Sequence, residues 1–135
     1  MTAMQKNERV IEHGTALLAE MKDLCSSLIY AALLTDDGFE VVRLSRTTTT
    51  DGGRFASMAS SMQALGDAVA RELQLGTSQY IIIASPTGYV VQLRVPDHPV
   101  VLSALFDDDE TVGKALAITR SSASKMSSFL ATVAE

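Results

Sequence analysis

The sequence predicts an α+β fold, a five-stranded antiparallel sheet sandwiched by helices in the order α-β-β-α-β-β-β-α. Three observations carry this. Apolar residues recur at helical spacing near the start, in the middle and at the end of the chain. Shorter apolar runs lie between them, and clusters such as Asp36-Asp37-Gly38, Ser85-Pro86-Thr87-Gly88 and Pro96-Asp97-His98-Pro99 separate those runs with turn chemistry. At 135 residues the chain fits one domain over positions 1–135, and 47% apolar with 20% charged residues is the composition of a packed globular protein.

The first periodic segment, residues 4–24, places Val10, Ile11, Gly14, Leu17, Leu18, Met21 and Leu24 on a stripe, with Glu8, Arg9, Glu12, Glu20 and Lys22 elsewhere. Residues 28–34 form an apolar run too short for a core helix, and residues 39–44 follow the Asp-Gly turn, so the two read as a hairpin. The first of these strands is expected to be buried on both faces; the second carries Glu40 and Arg43 and is expected to be partly wet. A Thr- and Gly-rich linker, residues 46–53, precedes a helix over 54–73, which Thr50 or Asp51 is placed to cap and Gly76 to stop. Its large stripe is Phe55, Met58, Ala59, Met62, Leu65, Val69 and Leu73. Ala56, Ser57, Ser60, Ser61, Ala64, Gly66, Asp67 and Ala68 form a second stripe of small residues, on which another backbone can approach closely. Residues 79–84, 89–95 and 100–106 then read as a three-stranded meander. The run Asp107-Asp108-Asp109-Glu110 leads into a final helix with the stripe Val112, Leu116, Thr119, Ala123, Met126, Leu130 and Val133, weakened by Ser121-Ser122-Ala123-Ser124-Lys125, where a kink or fraying is expected.

Composition excludes several classes. A formal net charge of −5 with scattered Lys and Arg lacks the electrostatic footprint of a nucleic-acid binder. Cys25 is the single cysteine, so no internal disulfide forms, and with only His13 and His98 beside it a structural zinc site is not expected. No segment has the apolar length of a signal core or a membrane span, so a soluble, cytoplasmic protein is expected.

Leu34-Thr35-Asp36-Asp37-Gly38-Phe39 at the hairpin, Ala56-Ser57-Met58-Ala59-Ser60-Ser61 through Leu65-Gly66 in the central helix, Tyr80-Ile81-Ile82-Ile83 through Gly88-Tyr89-Val90 in the meander, and Gly113-Lys114-Ala115-Leu116 near the last helix are together similar to the roadblock/LC7 family, particularly its bacterial MglB-like members. The resemblance covers roughly residues 17–117 and consists of packing patterns, none of them a catalytic signature. It implies a profilin-like fold and a homodimer in which the central helices pair and the strand after them joins its symmetry mate. It also implies a small Ras-like GTPase as partner, bound and modulated in a signalling or polarity system, or alternatively a kinase complex to scaffold. From the residues themselves, an edge as apolar as Tyr80-Ile81-Ile82-Ile83-Ala84 is an aggregation hazard unless paired or covered, and a two-fold axis through it supplies the pairing; a central strand within a monomeric sheet is the alternative. Met58, Ser61, Met62, Leu65, Tyr80, Ile81 and Ile82 are the expected dimer contacts.

No enzymatic constellation stands out, and no cofactor, metal or catalytic residue is expected. Asp51-Gly52-Gly53-Arg54 lacks the Lys-Ser/Thr ending of a P-loop and the spacing of a dinucleotide fingerprint. The 107–110 acids lack the spaced ligands of a calcium loop, and helix capping accounts for them. Asp36 and Asp37 belong to a turn, Cys25 reads as a buried structural thiol, His98 as a solvated loop residue, and the serines lack a nucleophile-elbow frame. Arg43, Arg46, Arg54 and Arg71 are formally available as an arginine finger, but exposed arginines are common and none is assigned that role; MglB-like proteins are understood to reshape the GTPase's own site. A rival from a different class is a ligand sensor with a pocket lined by Tyr30, Phe39 and Met62.

Overall fold

The computed structural model describes residues 3–46 and 52–133. After a short 3-10 turn, Met4–Lys6, the chain forms helix α1 (Glu8–Leu24), strands β1 (Leu28–Thr35) and β2 (Glu40–Ser45), helix α2 (Gly52–Glu72), strands β3 (Ile81–Ser85), β4 (Gly88–Arg94) and β5 (Val100–Asp107), and helix α3 (Val112–Val133). This is the expected α+β order. No helix of the described residues is long and apolar enough to cross a membrane.

Local chemistry sets the boundaries. The segment expected as one helix from position 4 splits because Asn7 takes an extended conformation, and its side chain accepts a hydrogen bond from the Val10 N–H at 3.2 Å. In the β1–β2 turn Gly38 adopts φ +94, which a residue with a Cβ resists, while the Thr35 hydroxyl accepts from the Phe39 N–H at 3.0 Å. Thr50 and Asp51, the expected caps of α2, lie outside the described residues. Beyond α2 the chain turns through Gln74 and Gly76, both at positive φ, with the Leu75 N–H donating to Ala70 O. The acids at 107–110 form a turn ahead of α3 rather than its first turn. Thr111 is the cap, its hydroxyl accepting from the Lys114 N–H at 3.2 Å.

All strand pairs are antiparallel, in the order β2-β1-β5-β4-β3. The meander β3-β4-β5 thus docks onto the hairpin through β5 and β1, and β3 is left at the edge. This settles the alternative raised by the sequence: Tyr80 to Ala84 do not lie inside the sheet.

The two faces are unequal. α1 and α3 cover one face over a large cluster that includes Val10, Leu18, Met21, Leu28, Leu33, Leu102, Phe106, Ala115 and Met126. α2 alone covers the other, over a small cluster of Tyr30, Ala32, Leu34, Val101, Ala56 and Ala59 with Phe55 and Leu105 at its margin. β1 is buried on both faces, as its unbroken apolar run predicts, and β2 is wet on one. α3 runs unbroken through Ser121 to Lys125 because that stretch packs inward at Ser122 and Ala123. Its buried face starts at Ala115; Val112, expected to lead the stripe, is 37% exposed.

Leu33→Ala, in the centre of β1 with no exposed surface, is expected to lower the unfolding free energy by about 2–5 kcal/mol in urea titration, through lost transfer energy and a residual cavity.

Candidate functional site

α2 rests on the sheet with only Ala59 and Phe55 of its large sequence stripe turned toward it. Ala56, Ala59, Gln63 and Ala70 are its buried residues, so the face made of small and polar side chains rests on the sheet. The large residues point away: Met58 is 55% and Leu65 is 65% exposed, and Val69 and Leu73 are exposed with them. Part of the small stripe that the sequence offered to another backbone therefore receives this chain's own sheet. Gly66 shows how close the approach is, since a Cβ there would sit 2.9 Å from Ile81 Cδ1.

Three polar contacts fix the helix where apolar interdigitation is thin. Gln92, fully buried on β4, donates from Nε2 to Ala59 O at 2.8 Å and to Gln63 Oε1 at 3.3 Å. The Ser60 hydroxyl donates to the hairpin carbonyl of Asp36 at 2.6 Å. Arg94, at the end of β4, bridges two carboxylates: its Nη1 lies 2.8 Å from Asp67 Oδ2 on α2 and its Nε 3.2 Å from Asp36 Oδ1 on the hairpin. Burial works against the Arg94 charge, but the hydrogen bonds and charges of Asp67 and Asp36 outweigh it and raise its pKa. Hairpin tip, helix and far strand are thereby tied into one unit.

The outward side of α2 adjoins the open edge. Met58, Met62, Leu65, Val69 and Leu73 follow spacings of three and four residues, so they form one stripe about 22 Å long. At its C-terminal end a hollow of about 670 Å³ is lined by Met62, Leu65, Gly66, Val69, Leu75, Tyr80 and Ile81 among others. Beside it Ile83 is 45% exposed, and among the described residues no strand pairs with the outer side of β3. The residues expected at a dimer contact fall on this surface in one subunit: Met58, Ser61, Leu65 and Tyr80 are exposed, and Met62, Ile81 and Ile82 are half-buried. Ile82 is set apart by packing partly against the α1/α3 side.

The chemical candidates are dispersed. The Asp107, Asp108 and Asp109 carboxylates lie within 4.8 Å of one another but are largely solvated. The buried Cys25 thiol donates to Glu110 Oε2 at 3.8 Å; Glu110 has a lowered pKa, first because it accepts from the Thr111 N–H and further through Lys114 and Cys25. His13 stacks face to face on Phe129 with centroids 3.8 Å apart, and Arg9 lies over the same ring. Arg46 donates to Ser26 O and Leu28 O, Arg43 pairs with Glu40, and Arg71 lines a hollow with Asp67 and Arg94. The pocket expected from Tyr30, Phe39 and Met62 is not assembled: Tyr30 is buried edge-on against Phe55, Phe39 is 53% exposed on the hairpin, and the hollow containing Met62 includes neither. The hairpin turns Phe39 outward, while strand alternation sends Tyr30 under α2.

Sequence reasoning missed Arg94, Asp67 and Gln92. Their signal is the alternation Val90, Gln92, Arg94 within an otherwise apolar strand, which places a charge and an amide on one face of the sheet.

Five antiparallel strands, with two helices on one face and one on the other, define an α+β sandwich whose exposed features are an edge and a helix. It is the roadblock/LC7 fold. The chain superposes on Myxococcus xanthus MglB with a TM-score of 0.87 at 13% identity, covering 96% of each chain. It superposes on an MglB with a tetrameric arrangement with a TM-score of 0.79 at 17% identity, covering 95% of this chain and 91% of that one. For a roadblock/LC7 domain from Streptomyces avermitilis the TM-score is 0.76 at 13% identity, over 85% of this chain and 95% of the other. No family model and no curated protein matches the sequence.

Two predictions follow from the α2 side of the sheet. Arg94→Met is expected to lower stability by about 1 kcal/mol, since the pair is partly solvated, and to speed amide exchange in α2 more than in α3; equal acceleration in both helices would remove Arg94 from this role. The Tyr30 pKa is raised, mainly by burial and then by the Glu40 charge, against the opposing effect of Arg43. A phenol whose folded pKa exceeds its unfolded one near about 10 contributes stability that is complete below that value and lost as pH rises toward the folded one. Stability should therefore fall as pH rises above about 10, and Tyr30→Phe should flatten that part of the profile in denaturant titrations.

Proposed function

We propose that this chain is a homodimeric regulatory module of the cytoplasm that pairs through α2 and β3 and, as a pair, binds and modulates a small Ras-like GTPase in a signalling or polarity system. It acts through surfaces and carries no reaction of its own. The observation that carries the proposal is the continuity of the exposed α2 stripe with the unpaired β3 edge. Exposed large apolar side chains cost solvation free energy in a lone subunit, and an open apolar edge invites association; a second copy meets both demands with one contact.

Several features support this reading. The neighbours in fold are MglB proteins and roadblock/LC7 domains, one of them an MglB in a tetrameric arrangement. The candidate nucleophile and carboxylates of the described residues are dispersed, solvated or engaged in turns and caps. Partner modulation without an inserted arginine fits the anchoring of Arg94 and Arg46 within their own subunit.

The test is direct. Sedimentation is expected to give a dimer at micromolar concentration. Leu65→Asp should keep the circular dichroism spectrum of the fold but weaken self-association by at least about 30-fold, the scale of a contact worth 2 kcal/mol. A Ras-like GTPase encoded by the same organism should co-elute with the unaltered protein and hydrolyse GTP at a changed rate in its presence. A single subunit in sedimentation refutes the pairing, and unchanged hydrolysis without co-elution refutes the partner.

A further inference from the structure

The loop that leads from α2 to β3 passes Arg94 at the end of β4, and a hollow opens on each side of it. The one on the α2 side, about 520 Å³, is lined by Asp67, Arg71, Gln74, Thr77, Ser78 and Arg94 among others. The one on the α3 side, about 380 Å³, is lined by Thr77, Ser78, Gln79, Arg94, Asp97 and Arg120 among others. Thr77, Ser78 and Arg94 belong to both, so the two hollows adjoin across the loop as one groove.

The groove is rich in donors that the subunit does not use. Arg94 is taken by Asp67 and Asp36, but Arg71 and Arg120 are exposed and form no ion pair with a described carboxylate. Arg120 lies over the Tyr80 ring at 5.9 Å, a contact that engages its charge and occupies none of its N–H groups with an acceptor. Between the two arginines, the hydroxyls of Thr77 and Ser78 and the main-chain N–H groups of Thr77, Ser78 and Gln79 have no hydrogen-bond partner among the described residues. Of the acids that line the groove, Asp67 is already paired with Arg94, and Asp97 stands exposed in the β4–β5 turn at the rim.

We propose that this groove receives an acidic, extended polypeptide segment of a partner protein, with carboxylates reaching Arg71 on one side of the loop and Arg120 on the other. A single phosphate is held best where donors converge on one point. Here Arg71 lines one hollow and Arg120 the other, so their charges are stations along a path, and carboxylates spaced along a chain match them. Thr77 and Ser78 supply hydrogen bonds between the stations. The groove borders the proposed pairing surface at Tyr80, but Arg71 projects about 160° round α2 from Val69 and stays clear of the large stripe. The inference thus goes beyond the pairing and does not depend on it.

Fluorescence anisotropy with a labelled oligoglutamate tests this on the full chain; about eight residues span roughly 25 Å when extended. The protein carries a formal net charge of −5, so general attraction does not produce binding, and salt of about 0.1 M screens the repulsion beyond about 10 Å. Oligoglutamate is expected to bind with a Kd of about 0.1–1 mM, and oligoglutamine of the same length not measurably. Arg71→Gln and Arg120→Gln should each weaken binding about three- to fivefold, and together about tenfold, the scale of exposed charge pairs. Asp97→Asn should strengthen it about twofold, while Arg9→Gln, beside Phe129, should leave it unchanged. These surface changes are expected to keep the circular dichroism spectrum and the sedimentation behaviour of the unaltered protein. No binding, binding indifferent to Arg71 and Arg120, or equal weakening by Arg9→Gln overturns the site. Inorganic phosphate that displaces the peptide with comparable affinity overturns the extended occupant.

Discussion

An open sheet cannot satisfy the backbone of its last strand from within, and in this chain that strand is among the most apolar segments. The constraint governs much of the arrangement around it. β3 lies at one end of the order β2-β1-β5-β4-β3, and the helix nearest to it turns its large side chains outward instead of onto the sheet. At the opposite end β2 carries Glu40 and Arg43, charged residues of the kind that discourage edge-to-edge association. β3 has no such protection; isoleucine occupies positions where a charge would block pairing. The two edges therefore differ in chemistry, one charged and one apolar.

The helix that overhangs this edge is held by position-setting contacts more than by a deep core. Alanines and a buried glutamine allow close approach, the carbonyl of Ala59 and the carboxylate of Asp67 meet Gln92 and Arg94 on β4, and the hydroxyl of Ser60 meets the hairpin carbonyl of Asp36. Such contacts contribute modestly to net stability, yet each has a narrow geometry, and leaving a buried one unmade is costly. α2 is accordingly located with Phe55 as its one bulky sheet-side contact, and Met58, Leu65, Val69 and Leu73 stay exposed. A helix anchored through leucine and methionine would have had nothing of that size left to present.

Much of this was legible in the sequence, and the exceptions have physical causes. Element order followed from periodicity and turns because β1, β4 and β5 are apolar runs of strand length and because Asp37-Gly38 and Pro86-Thr87-Gly88 admit little but turns. The outward face was legible as a set of residues: Met58, Ser61, Met62 and Leu65 share one side of α2. Its outward direction was expected too, since those residues were read as dimer contacts; that Gln63 and Ala70 share the sheet-facing side with Ala56 and Ala59 was not, because a helical wheel shows which residues lie together but not which of the remaining ones meet the sheet. The tie between Arg94, Asp36 and Asp67 joins residues far apart in the chain, and only the fold brings them together. Tyr30, Phe39 and Met62 failed as a pocket for the same reason, since strand alternation and the hairpin turn send them to different surfaces.

The fold alone does not decide function, because one fold hosts many functions. Catalysis requires groups of matched acidity converging on a site that excludes water. Among the described residues the groups with displaced acidities are a phenol beneath α2, an arginine held between two carboxylates and a glutamate engaged at a helix start. They occupy separate parts of the molecule, and each displacement is accounted for by a contact that holds elements together. The hollow beside β3 is open and lined mainly by apolar side chains, with Thr77, Ser78, Gln79 and Tyr80 supplying its polar groups and no acid among its lining residues. Its character follows from the same orientation of α2 that leaves Met62, Leu65 and Val69 outward, and it is continuous with the edge at which a second copy is proposed. At this edge the demands left open are for apolar contact and for backbone hydrogen bonds. Another polypeptide would meet both, which is why the proposed function is placed on a surface.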